Sequence, residues 1–161
     1  FNLDNNLIIE AMDKKDVQWV VELNDVFPGG RARNITSGWL SAENRPYDPA
    51  NPQEIDDDYV PFDPFYDRSY RIPSPIEEGK TYKYVVELWP TDNVFKKGHR
   101  IRLSLSASDF PHLFPVLRPS NNDLIIDDRG HTATLSFKVV TDNGNFQWVD
   151  AVDSYMMNHS H

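Results

Sequence analysis

The 161-residue chain contains no cysteine, so disulfides, Cys-ligated zinc, iron–sulfur clusters and a thiol nucleophile are all excluded. It is also short of positive charge. Sixteen Lys and Arg stand against 25 Asp and Glu, a net charge of −9, and such a surface repels nucleic-acid phosphates and anionic lipid headgroups. Neither a nucleic acid nor a membrane is therefore an expected partner. No apolar run approaches the ~20 residues that cross a bilayer, and the N-terminus lacks a charged segment followed by an apolar signal core. The G-x-S-x-G turn, which exposes the serine of α/β hydrolases, is missing as well. The chain starts on Phe1 and enters the apolar run "LIIEAM" almost at once, which reads as a cut made just ahead of a strand in a longer polypeptide.

What is present is alternation with a period of two, the mark of strands with one buried face. In "VQWVVELNDVF", Val17, Trp19, Val21 and Leu23 share a side, and in "TYKYVVELW" so do Tyr82, Tyr84, Val86 and Leu88. Ile101, Leu103, Leu105 and Ala107 alternate with Arg100, Arg102, Ser104 and Ser106, which predicts a strand with its apolar set in the core. "HTATLSFKVV" repeats the pattern with Ala133, Leu135, Phe137 and Val139. "LIIEAM" and "RARNITSGWL" add two strands, the latter entered through a turn at Pro28, Gly29 and Gly30,. Val94 and Phe95 are expected to hold the crossover after Pro90 in the core. Helical spacing occurs only in "FQWVDAVDSYMM", where Trp148, Val152 and Tyr155 or Met156 predict a short C-terminal helix. Short strands between turn-rich loops point to an all-β sandwich or jelly roll.

Residues 43–80 interrupt this rhythm. They hold seven of the 12 prolines, and proline lacks the N–H that a central strand needs,. Tyr59, Phe62, Phe65, Tyr66 and Tyr70 make the segment too aromatic for a disordered linker,. It reads as an ordered loop that lays rings on a surface. Its aspartates, Asp56, Asp57, Asp58, Asp63 and Asp67, are oxygen ligands of the type Ca²⁺ takes, but their spacing is not that of an EF-hand, and a solvated acidic loop is the simpler reading.

Catalytic candidates are weak. Ser104 and Ser106 fall on the polar side of a strand. His99 follows the turn Lys96-Lys97-Gly98 and reads as a turn residue, since a general base also needs a nucleophile and an orienting acid. His112 lies in a loop, and His159 and His161 lie in the tail. Asn34-Ile35-Thr36 and Asn158-His159-Ser160 match the glycosylation acceptor pattern, a motif short enough to recur by chance. Trp19, Trp39, Trp89 and Trp148 read as core or interface residues before a sugar platform.

Two blocks of motifs carry a family likeness. Asp25-Val26-Phe27-Pro28, Gly30-Arg31-Ala32, Thr36 and Gly38 form the first; Gly79, Tyr82, Leu88-Trp89-Pro90-Thr91, Val94, Phe95, Gly98 to Leu103 and Ser108 to Pro111 form the second. The chain resembles, over about residues 7–140, the C-terminal non-catalytic domain of the X-Pro dipeptidyl-peptidase and cocaine-esterase-like serine hydrolases. Glu78 departs from the family's usual proline before Gly79. The resemblance implies a single galactose-binding-like jelly roll over 1–161, with a long loop insert at 43–80 and an extension at 141–161. It implies no catalytic residue and no cofactor in this chain. Its expected partner is an upstream α/β-hydrolase domain of the same polypeptide, with a homo-oligomer also admitted. Tyr59, Phe62, Phe65, Tyr66, Phe110, Pro111, His112 and Phe114 are the expected domain-interface residues. A carbohydrate-binding jelly roll is the alternative, and it requires Trp39 or Trp89 to face solvent.

Overall fold

A computed structural model describes residues 7–11, 17–62, 72–113, 122–125 and 133–152. Eight strands run through them: β1 (Leu7–Ala11), β2 (Gln18–Val26), β3 (Ala32–Ser41), β4 (Lys80–Tyr84), β5 (Arg100–Ser106), β6 (Asn122–Ile125), β7 (Thr134–Val140) and β8 (Phe146–Val152). The one helical element among the described residues is a single 3₁₀ turn, Ala42–Asn44. All pairing is antiparallel, in three sheets ordered β4-β1-β6, β3-β2-β5 and β7-β8. The chain is thus mostly β, and among the described residues these sheets do not close into a complete jelly roll.

The core follows the period-two pattern. Val17, Trp19, Val21 and Leu23 pack against Tyr82, Tyr84, Val86, Leu88 and, from β7, Leu135. β2 is the central strand of its sheet, and Val20 on its other side is buried too. A bulge after Leu23 leaves Ile35 without a partner on β2, and Ile35 packs against the core cluster,.

Four expectations need correcting. The predicted C-terminal helix is β8 over Phe146–Val152; Asp142-Asn143-Gly144 makes a tight turn, with Gly144 at φ 75° and its N–H donated to Thr141, and the returning strand pairs with all of β7,. The rest of that segment, residues 153–161, lies outside the described residues. The strand expected over 81–89 ends at Tyr84, and Val85 to Leu88 continue as a buried crossover in which Val85 is covered as well as Val86. Val94 is 80% exposed, so it does not enter the core. Finally, Ile101, Leu103 and Leu105 do face the core side, since they pair with Asp25, Leu23 and Val21, but β5 is the edge strand and they remain 42%, 38% and 37% exposed. Ala107 is exposed beyond the strand end.

Candidate interaction surface

The two motif blocks meet at two contacts, and a third orders the loop between them. The first is a seat on β3. A Cβ on Gly38 would lie 2.1 Å from the Glu87 carbonyl oxygen and 2.9 Å from Leu88 Cδ2, so only glycine lets the crossover lie flat on the strand,. On either side of that contact the Trp89 N–H donates to the Ser37 carbonyl (3.1 Å), and the Thr36 hydroxyl donates to the Trp89 carbonyl (2.6 Å). The spacing of Thr36 and Gly38 is therefore the footprint of Glu87 to Trp89.

The second contact is a clasp at the end of β2. Asp25 is 2% exposed and lies 2.8 Å from His99 Nδ1 and 3.9 Å from the Arg33 guanidinium, which also donates to Asn93 Oδ1 (2.7 Å). The His99 ring lies 4.5 Å from that of Phe27, centroid to centroid, and Gly98, at φ 86°, would bring a Cβ to 3.5 Å from the Pro28 ring. An Asp–His pair is two-thirds of a hydrolytic triad, but among the described residues no serine or threonine hydroxyl bonds the imidazole. Its chemistry is that of a fastener between the β2–β3 hairpin and the Lys96-Lys97-Gly98 turn.

The third contact orders the proline-rich loop. Arg45 is fully buried. Its five N–H donors reach the carbonyls of Ala42 (3.0 Å), Ser74 (3.0 Å) and Pro52 (2.8 and 3.2 Å) and the Ser74 hydroxyl (3.3 Å). Its guanidinium carbon lies 4.5 Å from the Tyr82 ring centroid and 5.5 Å from that of Tyr47,. Desolvation lowers the Arg45 pKa below its ordinary value, and the neighbouring Tyr84, Tyr82 and Tyr47 oppose that shift. No carboxylate bonds it among the described residues; carbonyls and ring faces take that role. Gln53 then donates to the Thr81 carbonyl and accepts from the Lys83 N–H through its own carbonyl, so the loop lines the edge of β4.

Of the expected interface residues, Tyr59 and Phe62 are half-buried and held by one carboxylate: the Tyr59 hydroxyl and the Phe62 N–H (2.9 Å) both donate to Glu87 Oε1. Phe62 sits at φ 58°, a left-handed conformation that costs a residue with a Cβ some strain,. Phe110, Pro111 and His112 form the tip of a separate turn closed by the Leu113 N–H on the Asp109 carbonyl (2.7 Å); Phe110 is 68% exposed, and Pro111 and His112 face solvent. Phe65, Tyr66 and Phe114 lie outside the described residues. Trp19 is core, whereas Trp39 is 38% and Trp89 65% exposed. Among the described residues no cluster of three or more His, Asp or Glu could hold a metal ion, and no helix is long and apolar enough to cross a membrane.

Sequence reasoning placed Asp25 in a family motif without its buried duty, and it missed Arg45. Asp25 had a visible signal, because it continues the buried series Val17, Trp19, Val21, Leu23, and a carboxylate on that side demands a partner. Arg45 had none: only the folded loop brings Pro52 and Ser74 to it.

Among its described residues the chain is mostly β, with a crossover fastened to β3 and a proline-rich loop tied down by Arg45. Residues 8–136 match the family of the X-Pro dipeptidyl-peptidase C-terminal non-catalytic domain, and the chain belongs to that family. It is 29% identical over 96 residues to cocaine esterase of Rhodococcus sp. (strain MB1 Bresler), covering 60% of this chain and 13% of that protein. It is 28% identical over 127 residues, 78% of this chain, to two mycobacterial proteins described as candidate serine esterases, Mb1866c of Mycobacterium bovis and MT1883 of Mycobacterium tuberculosis. The chain spans only 13% to 19% of the length of these relatives.

Proposed function

We propose that this chain is the jelly-roll accessory domain of an α/β-hydrolase-type serine hydrolase, and that it packs on and supports a catalytic domain upstream in the same polypeptide. The observation that carries the reading is the Phe110-Pro111-His112 turn, whose Phe110 is 68% exposed on a chain of a non-catalytic family. A large exposed aromatic at the point of a tied turn is the kind of group that becomes a hot spot when a partner covers it. Tyr59 and Phe62, set by Glu87, offer a second patch. Acyl esters or X-Pro amides are the substrate classes of the whole enzyme on this reading, and its nucleophile lies outside this chain. Assaying the isolated chain on chromogenic esters and X-Pro amides tests it: no turnover is expected, and turnover abolished by a serine-directed inhibitor overturns it.

The exposure of Trp39 and Trp89 favours a second reading, a glycan platform. Trp39 is two residues along β3 from Ser37, whose carbonyl receives the Trp89 N–H. Glycan titrations that quench tryptophan fluorescence, with loss of quenching in Trp89→Ala, support that reading; unchanged fluorescence across neutral glycans removes it.

A further inference from the structure

The β3-β2-β5 sheet has a second face, turned away from the core, that the accessory role does not use. Residues directly opposite one another on antiparallel strands share a face. At one end of this face the register sets Trp39 and Ser106 beside Val20. On the next rung Ser37 and Ser104 flank Glu22, then Asn34 and Arg102 flank Asn24, and Arg100 closes the row beside Val26. Side-chain bonds agree with that register: Asn24 Nδ2 donates to the Ser104 hydroxyl (3.3 Å) and Asn34 Nδ2 to the Ser37 hydroxyl (3.2 Å). One end of the face is thus aromatic, the middle carries hydroxyls, amides and a carboxylate, and the other end carries two guanidinium groups.

The ends of the row are open. Trp39 is 38% exposed, Arg100 and Arg102 are exposed, and among the described residues no carboxylate pairs with either arginine. Arg31, Lys96 and Lys97 are exposed at the same end, where the Gly98 turn meets Pro28. The chain carries −9 in all, but charges more than about 8 Å away are screened at physiological salt, so a ligand arriving there meets the local positive charge. The backbone groups of a sheet face are spent in the ladder, so only side chains can recognise a ligand on it. An extended peptide draws its affinity from main-chain bonds at an edge; a sugar needs a ring to stack on and polar side chains for its hydroxyls.

We propose that this face binds an acidic oligosaccharide, with one ring on Trp39, hydroxyls bonded along the Ser37, Glu22 and Ser104 rung, and a sugar carboxylate between Arg100 and Arg102. Ser106, on the Trp39 rung, is four residues from Arg102, ~13 Å along the strand, so a single sugar does not meet both ends. Glu22, which accepts from Asn24 Nδ2 (3.5 Å), takes a sugar hydroxyl but repels a carboxylate, and it thereby directs the charged end of the ligand to the arginines. The inference rests on the glycan reading above and moves its platform to Trp39. Trp89 belongs elsewhere: its carbonyl is held by Thr36, which pairs with Leu23 on the core-facing side.

Isothermal titration of the full-length hydrolase with the hexamer of galacturonic acid, and with the galactose hexamer of the same linkage, tests the assignment. The acidic hexamer should bind about tenfold tighter, since two exposed charge pairs contribute a few-fold each, and high salt should erase the difference. Arg100→Gln combined with Arg102→Gln should bring the acidic hexamer down to the affinity of the neutral one. Trp39→Ala should abolish binding of both, and Trp89→Ala should leave it unchanged, each variant keeping the far-ultraviolet circular dichroism spectrum of the wild type. Equal affinity for the two hexamers, or binding lost in Trp89→Ala and kept in Trp39→Ala, overturns this inference and leaves a glycan platform standing. Binding of neither hexamer overturns both. Hexaglutamate bound as tightly as the acidic hexamer would mark a general anion surface and overturns the assignment to a sugar.

Discussion

Single residues explain why the family motifs are spaced as they are. Gly38 is required by a close approach of backbone to backbone, so Gly38→Ala must push the Glu87 carbonyl away from β3. The expected loss is about 3 kcal/mol, the upper part of the overpacking range, read as a fall in Tm on the order of 10 °C by calorimetry. Arg45→Met removes the charge but leaves the carbonyls of Pro52 and Ser74 without their side-chain donors. Chemical denaturation should show a loss of about 3 kcal/mol. It should also show faster proteolysis within the 43–62 stretch, which Arg45 ties to Ser74. Tyr84 gives a pH dependence. Burial raises its pKa above the ordinary 10.0, and the Trp19 indole N–H nearby does not reach a well-formed hydrogen bond with its oxygen. A raised folded pKa means that this stability is fully present below pH 10.0 and is lost as the pH climbs, because the unfolded chain releases the proton first,. Above pH 10, the stability difference between wild type and Tyr84→Phe should therefore move in favour of Phe by up to about 1.4 kcal/mol per pH unit, with denaturation curves at pH 9 and 11 as the check.

Among elements, the ones legible in the sequence were those whose period-two pattern and backbone pairing agree. β2, β5 and β7 fall where alternation places them, because a one-residue slip would turn each apolar set outward, while β3 falls where the turn at Pro28-Gly29-Gly30 leads,. Alternation names the side a residue faces but not whether anything covers it, which is why Ile101, Leu103 and Leu105 point to the core side and are still half in solvent. The helix expected after Phe146 failed for a related reason. Trp148 and Val152 satisfy a four-residue spacing and a two-residue spacing equally, and the Asn143-Gly144 turn, itself a hairpin signal, decides for the strand. The crossover from Val85 to Trp89 was hidden because its burial rests on Gly38, a contact distant in sequence. The clasp joins two such distant elements. His99→Ala should cost about 2–4 kcal/mol, since it strips a buried carboxylate of its nearest partner. In a double-mutant cycle with Asp25→Asn, the coupling should exceed 1 kcal/mol by urea denaturation. Additive effects would mean that the pair is incidental.

At the scale of the whole molecule, an acidic, mostly β chain shows no catalytic set among its described residues and exposes large aromatics on the crossover (Trp89), the Asp109–Leu113 turn (Phe110) and the start of β8 (Phe146). Family membership was legible because its motifs are turns, glycines and buried polar residues with fixed geometric duties. The interface was less so: exposure of the Phe110 turn depends on what packs around it, which no local pattern records. The most direct test of the accessory role replaces Phe110 with Asp in the full-length hydrolase and follows thermal inactivation together with calorimetric unfolding. A domain that buttresses the catalytic one gives a kcat at 25 °C close to wild type, inactivation several degrees lower, and a β-domain transition that separates from that of the catalytic domain. Phe110→Asp enzyme that inactivates and unfolds as the wild type does would contradict it.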